Sequence, residues 1–471
     1  MKRKDAEEMS AVTNGTAHTA SVNNVSETMA MSQSRDQILP EKGAHEAENG
    51  KAEEAADIIH PTSYVDTMLH IFKGNIGSGL LAMGDAFKNG GLVFATISTV
   101  IMGIICVHAQ HILLNCAEDM RGRVKDGKAI GFAQTVRMVF EQGGPRLKAR
   151  ARLMGILVDT FLCVTQLGFC CVYIVFIANN VKLICDHYNV RIDLSIHMIF
   201  VVVPVLLACM VRNLKFLTPF STIANLLMAV GVGVVVYEAC QDLPPVSSRD
   251  YVGTWKTLPL YFGTAVYAFE GIGLVLPLKN EMRNPEQFQK PLGVLNVSMV
   301  IVGSIFIVVG FLGYLQWGKA VQGSLTLNLP PGLILSNVVQ TLIALAIMFT
   351  YPLQFYVPVR ITWPALRARC GPRAVVAKEL GYRALLVLLT FILAESIPQL
   401  GLFISLVGAV SSTALALMFP PLIELVMISQ KPNGPHYFTI FKDVTIILLG
   451  VFIFITGTYE SVASIIRAFQ Q

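Results

Sequence analysis

The sequence has few charged residues for its length. Only 14% of its 471 residues are charged and 54% are hydrophobic, and the mean hydropathy is +0.58. A soluble globular domain carries about a quarter charged residues. The composition therefore excludes a soluble globular protein and indicates a polytopic membrane protein.

The sequence also lacks the patterns of metal, redox and hydrolytic sites. Its nine cysteines form no C-x-x-C or Cys/His metal spacing, and the loops hold no set of nucleophile and base. His108 and His111 have no third ligand at metal spacing, so we interpret them as a polar helix face. We therefore expect no metal, no cofactor other than a coupling ion, and no enzymatic activity.

No apolar stretch follows Met1 closely enough to form a cleavable signal peptide, so the first spanning helix is expected to act as an uncleaved signal. Residues 1–60 contain 11 acidic and 6 basic side chains, a net charge of −5, which leaves +10 for the remainder. We predict that 1–60 is a disordered acidic tail and that 61–471 is one transmembrane domain. A basic membrane domain reports loop topology, so nucleic-acid binding is not expected.

About eleven apolar segments are long enough to span a bilayer, on the criterion of about 20 residues. The predicted spans are all helical and cover 65–89, 92–116, 153–184, 196–211, 217–238, 258–278, 291–315, 333–357, 382–396, 399–428 and 440–465. With eleven spans, the basic loops 117–152 and 358–381 fall on the same side of the membrane. The positive-inside rule then places the N-terminus in the cytoplasm.

Glycine-rich sequence interrupts the first and the sixth spans, at 74–79 and 271–273. A break in a membrane helix exposes backbone N–H and C=O groups, which is tolerated where they line a cavity or meet a ligand. The start of the second half lies five spans after the start of the first, so each half has an odd number of spans and the halves are inverted. We predict a five-plus-five inverted repeat of the LeuT-like type with one extra helix, and matched breaks of this kind indicate a secondary transporter.

The first break predicts a seat for a carboxylate. Its glycines let the backbone approach a ligand, and a half-helix starting near its serine offers free N–H groups and a positive dipole end. An alternative interpretation is helix packing through small residues. The predicted substrate-binding residues are Gly74, Asn75, Gly77, Ser78 and Gly79.

The sixth span contributes the other half of the predicted site. A substrate amine would meet backbone carbonyls within 263–269, and aromatic side chains would bound its side-chain space; the predicted residues are Gly263, Thr264, Tyr267 and Phe269. Glu270 lies near the middle of this span, where an ionised carboxylate is costly. It is either a proton-coupling group or a structural acceptor for backbone N–H groups.

His70 stands one turn before the first break and is a second candidate for proton coupling, or else a polar residue at the cytoplasmic mouth. Cys185 and Cys240 both fall at predicted outward loop starts, where an oxidising compartment would permit a disulfide. Further candidates to line a central site are Gln166, Tyr173, Thr350, Gln354, Ser411 and Ser412, although each of them taken alone is better explained by helix packing.

With these residues in view, the chain resembles the proton-coupled amino acid transporters of the amino acid/auxin permease group, and looks most similar to insect members. The resemblance is carried by residues 69–81, 87–92, 262–277, 313–318, 325–330 and 353–358. It implies symport of small neutral amino acids with protons across the plasma or lysosomal membrane. It further implies growth-signalling partners for some members, with His70 and Glu270 at the family's proton-linked histidine and sixth-helix glutamate.

The sequence departs from the family at several positions. Gly84 stands where members often have proline, and Lys279 where glutamate is common. The family's extracellular disulfide joins a cysteine like Cys185 to one that this chain lacks after Leu329 and Pro330, which leaves Cys240 as a substitute. The rival functions are an amino acid sensor of the same fold with little flux and an ion channel, and sodium coupling stays an alternative to proton coupling.

Overall fold

The computed structural model describes residues 62–124, 129–212, 218–369, 374–430 and 437–470. The predicted disordered tail, 1–60, lies outside them. The described chain is helical almost throughout, with a single isolated β-bridge between Thr62 and Met282. The helices of the first half are α1 Tyr64–Asn75, α2 Ser78–Gly90, α3 Leu92–Arg121, α4 Phe132–Glu141, α5 Pro145–His187, α6 Leu194–Cys209 and α7 Thr218–Ala239.

The second half repeats the pattern of a broken first span followed by long helices. Its helices are α8 Leu258–Ala268, α9 Ile272–Glu281, α10 Val294–Trp317, α11 Ile334–Arg367, α12 Val375–Ser396, α13 Leu400–Val407, α14 Phe419–Ile428 and α15 Tyr437–Phe469. Two π-helical stretches, Gly408–Ser412 and Ala414–Met418, join α13 to α14. Short 3₁₀ turns occur at Val246–Ser248, Pro285–Gln287, Gly318–Ala320 and Leu325–Asn328.

Each predicted span coincides with a helix or with a pair of half-helices, but the number of membrane crossings stays a prediction. Among the described residues, eight segments are long and apolar enough to cross a membrane. The first span is split into halves of 12 and 13 residues, and α6 has only 16. The helix α12 is long enough but carries charged residues, which are Lys378, Glu379, Arg383 and Glu395.

The sequence predicted that 117–152 is a basic loop, but the structure shows that much of this segment is helical. It contains the amphipathic helix α4, which buries Val136, Val139 and Phe140 and packs against α5. The helix α5 begins at Pro145 within the same predicted loop, and α12 likewise begins earlier than predicted. Charged residues on the exposed faces of these extensions hid the helical pattern from a search for apolar runs.

Both helix breaks occur where the glycines predicted them. The helix α1 ends at Asn75 and α2 begins at Ser78, while α8 ends at Ala268 and α9 begins at Ile272. The half-helix α2 packs directly on α8, and α1 lies against α9. Two backbone hydrogen bonds tie the start of α1 to the end of α9: the Thr62 N–H donates to the Glu281 carbonyl, and the Arg283 N–H to the Thr62 carbonyl.

Candidate functional site

A narrow cavity lies between the two helix breaks and is closed on its other sides by α5, α7 and α11. Its free volume is about 30 Å³. It is lined by Lys73, Gly74, Asn75, Ile76, Gly77, Ser78, Gly79, Phe169, Tyr173, Ala224, Asn225, Met228, Tyr267, Ala268, Glu270, Ile347, Thr350 and Gln354. A cavity of this volume restricts the ligand to a small one unless the helices move apart.

The first break contributes all of its predicted residues to the cavity, and the glycines do so in different ways. A Cβ at Gly77 would meet no atom within 4 Å, so this position faces open space. A Cβ at Gly79 would lie 2.9 Å from the Cα of Ala268, so this glycine lets α2 and α8 touch. Gly77 therefore gives a ligand access to the backbone, and Gly79 holds the two halves of the site together.

The start of α2 presents unpaired backbone donors to the cavity. The first N–H groups of an α-helix have no partner within the helix. No side chain caps α2, and none caps α9 at the other break. The Ser78 and Tyr267 hydroxyls share a hydrogen bond of 2.9 Å, which orients both side chains across the junction of the two breaks. This arrangement can bind an anionic group such as a carboxylate.

Two acceptor oxygens at the breaks are buried without a hydrogen-bond partner in the described part of the chain. They are Asn75 Oδ1 and Glu270 Oε2. The Asn75 amide donates to the Ile71 carbonyl at 2.9 Å, which fixes its orientation, and Ser412 lies beside the Glu270 carboxyl. Buried oxygens without a donor are unfavourable, so this part of the site calls for a proton or a cationic ligand group.

The structure does not bring all predicted residues of the sixth span to this cavity. Gly263 packs against the backbone of Ser405, and the Thr264 hydroxyl donates to the Leu260 carbonyl at 3.0 Å. The Phe269 ring points away and stacks edge-on against Phe306, with 5.1 Å between ring centroids. These residues support the site from behind, and only Tyr267 and Glu270 of the predicted set face the cavity from this span.

His70 and the two loop cysteines also lie outside the cavity. The His70 side chain is exposed on α1. Cys185 and Cys240 are both free thiols, so the structure contains no bond between them. Of the further candidates, Tyr173, Thr350 and Gln354 line the cavity, whereas Gln166, Ser411 and Ser412 do not.

Several lining residues were not singled out in the sequence. Phe169, Met228 and Ile347 are apolar residues in apolar helices, and nothing in their pattern separates them from lipid-facing or packing residues. Asn225 had a recognisable signal, since an amide within an apolar span is unusual.

Comparison with known proteins identifies the family. Residues 60–463 match the model of a family described as "Transmembrane amino acid transporter protein". This range includes both helix breaks and every residue of the cavity. The chain belongs to this family. The family is one of transporters and not of enzymes, as expected from the sequence.

Two relatives of the transporter are similar over most of their length. One is the "Proton-coupled amino acid transporter-like protein pathetic" of Drosophila melanogaster, 34% identical over 414 residues, which are 88% of this chain and 87% of that protein. The other is the "Probable amino acid transporter skat-1" of Caenorhabditis elegans, 27% identical over 440 residues, covering 88% and 92%. These matches confirm the family resemblance drawn from the sequence.

A solved structure supports the fold assignment. The inward-facing conformation of Mhp1 superimposes with a TM-score of 0.53 over 88% of the transporter and 91% of that chain. At 12% sequence identity the likeness establishes the fold alone. It confirms the predicted all-helical, LeuT-like multi-pass membrane architecture.

Two ion pairs, each with one buried partner, lie beyond the cavity. Lys88 pairs with Asp85 on α2, and its ammonium group also donates to the Val321 carbonyl at 2.7 Å. At the far end of α9, the buried Lys279 pairs with Glu118 and donates to the Gln289 amide oxygen. A buried lysine requires such partners. Lys279, one of the departures from the family pattern, thus connects α9, the half-helix that follows the second break, to α3.

Proposed function

We propose that this protein carries a small neutral amino acid across the membrane together with protons. The observation that carries the proposal is the cavity between two uncapped helix starts, with unpaired N–H donors on one side and unpaired oxygens on the other. A zwitterion has one anionic and one cationic group, so it complements both sides at once.

The substrate carboxylate would bind the N–H groups at Gly77, Ser78 and Gly79, where the backbone is open to the cavity. The substrate amine would lie near Asn75 Oδ1 and the carbonyl of Ala268 at the C-terminal end of α8. The lining residues Phe169, Met228 and Ile347 leave little room for a side chain, which favours a small substrate.

Glu270 is the group that we assign to proton coupling. It is buried at the second break, and the described residues offer its Oε2 no hydrogen bond. A protonated carboxyl is neutral and tolerated there, whereas an ionised one needs a cation nearby. Protonation from one side and release to the other would couple proton movement to rearrangement of the breaks.

Uptake of a radiolabelled small amino acid into proteoliposomes tests the proposal directly. We expect accumulation driven by an inwardly directed proton gradient, with uptake that rises as the external pH falls, and persistence when sodium is replaced at fixed pH. Strict dependence on sodium would overturn proton coupling. Binding of the amino acid without any flux would overturn transport in favour of the sensor function.

We propose a plasma-membrane or lysosomal location, which the family resemblance implies. We also propose a cytoplasmic N-terminus, because the basic loops then share the cytoplasmic side. Contacts with growth-signalling proteins would involve the same side. Protease protection of an N-terminal tag in intact cells tests the orientation, and imaging of the tagged protein tests the location.

A further inference from the structure

A second concave site lies on the lipid-facing surface, between α3 and α10. Its volume is about 460 Å³, so it is much larger than the cavity at the breaks. Its walls are apolar and strongly exposed in the isolated chain: Val100, Ile104 and Val300 have exposed fractions of 47%, 64% and 69%. Both helices are long and apolar enough to cross a membrane, so the occupant of this groove comes from the bilayer.

The floor of the groove contains two glycines packed over an aromatic ring. It consists of Gly103, Gly303 and the ring of Phe269. A Cβ at Gly103 would lie 3.1 Å from the Phe269 ring, and one at Gly303 would lie 3.8 Å from it. Phe269 itself is only 1% exposed, so the two glycines lie over a covered ring and leave no side chain protruding from this part of the floor, which suits one face of a rigid, planar ring system.

One end of the groove is polar but carries no Lys, Arg, Asp or Glu among its lining residues. His111 Nε2 is hydrogen-bonded to Asn296 Oδ1 at 2.7 Å. His108 Nε2 is buried and has no hydrogen-bond partner in the described structure. Such a group is unfavourable unless a ligand supplies its partner. A neutral hydroxyl fits this end, because no charged side chain lines it, and Lys442 and Glu424 near His108 are paired with each other at 2.8 Å.

The length of the groove suits a molecule about half as long as the hydrocarbon layer is thick. Thr99 and His111 mark its two ends along α3. At 1.5 Å per residue they are about 18 Å apart, a little more than half of the roughly 30 Å hydrocarbon thickness.

We propose that this groove binds a sterol, with its hydroxyl at His108 and its rings on the floor formed by Gly103, Gly303 and Phe269. The site is distinct from the proposed amino acid site, because Phe269 faces the groove while the adjacent Glu270 faces the cavity. Sterol binding holds the Phe269 ring in place and thereby biases the conformation of the second break.

Photolabelling of the full-length protein in sterol-containing nanodiscs tests the proposal. The probe is a photoreactive cholesterol analogue, and labelled peptides are mapped by mass spectrometry. We expect saturable labelling within 99–111 and 296–307 that excess cholesterol displaces. The epimer with an inverted hydroxyl and a phosphatidylcholine should displace it poorly. Labelling elsewhere, or equal displacement by phosphatidylcholine, would overturn the assignment.

Matched variants separate groove filling from general damage. Val300→Trp fills the groove, and Ile104→Trp fills it from the opposite wall, so both should abolish saturable labelling. Val308→Trp is the control, because Val308 is also exposed on α10, at 49%, but does not line the groove. His108→Leu removes one hydrogen bond to the hydroxyl, and affinity should fall about five-fold. Monodisperse Val300→Trp and Ile104→Trp proteins that keep wild-type labelling would contradict the site.

Discussion

The two helix breaks differ in how they use the chain. The first break turns a continuous run, Lys73 through Gly79, toward the cavity, and offers mainly backbone groups. The second break divides its residues: Tyr267, Ala268 and Glu270 face the cavity, while Phe269 faces the lipid-side groove. The first break is thus built to bind, and the second connects the binding cavity to a different surface. Substitutions at each break test this division of roles.

The largest effect is expected at Glu270. Glu270→Gln keeps the shape of the side chain but removes the exchangeable proton, so proton-driven accumulation should be abolished while amino acid exchange across the membrane persists. Accumulation and counterflow in proteoliposomes measure the two activities separately. Glu395→Gln is the control. Glu395 lies at the end of α12, outside the cavity, and its carboxylate accepts a hydrogen bond from the Ser195 hydroxyl. If the Glu270→Gln protein still concentrates substrate, the assignment of proton coupling to Glu270 is wrong.

The next effect separates two glycines of the first break. Gly79→Ala places a methyl group 2.9 Å from the backbone of Ala268, so we expect destabilisation of about 1–3 kcal/mol and loss of uptake. Gly77→Ala enters open space and should keep the thermal stability of the wild type. Gly77→Val should stay folded yet lose substrate binding, because it projects into the cavity. Thermal unfolding and ligand binding of the purified proteins measure these effects. Equal destabilisation by Gly77→Ala and Gly79→Ala would contradict the distinction.

A smaller effect is expected from the hydroxyl pair that joins the breaks. Ser78→Ala or Tyr267→Phe removes their shared hydrogen bond, and each should raise the KM about five-fold, the value of one net hydrogen bond. Because both substitutions remove the same interaction, the double variant should be little worse than either single variant. Fully additive effects in a double-mutant cycle would show that the two hydroxyls act independently.

The smallest effect is expected at His70. Its side chain is exposed on α1 and outside the cavity, so His70→Ala should change substrate affinity by less than about two-fold. The pH dependence of uptake is the informative measurement. A flattened pH profile would support the coupling role implied by the family resemblance, and an unchanged profile would leave Glu270 as the coupling group of the two.

Much of the fold could be predicted because its signals are local. Long apolar runs marked the helices, and the glycines at 74–79 and 271–273 marked both breaks within a few residues. The helix α4 was not predicted, because its charged face interrupts the apolar run. The division of the sixth span could not be predicted either: Thr264 lies in α8 while Phe269 and Glu270 lie in the break after it, and the local backbone directs the three side chains to different surroundings.

The sequence by itself determined that the chain crosses a membrane as helices, that the helices break at two matched places, and that the chain resembles amino acid transporters. These properties depend on hydrophobicity, on glycine positions and on contiguous motifs, which are local features of the sequence. Only the tertiary structure decided which side chains share the cavity. Phe169, Asn225 and Gln354 come from three different helices, and their meeting depends on how those helices pack.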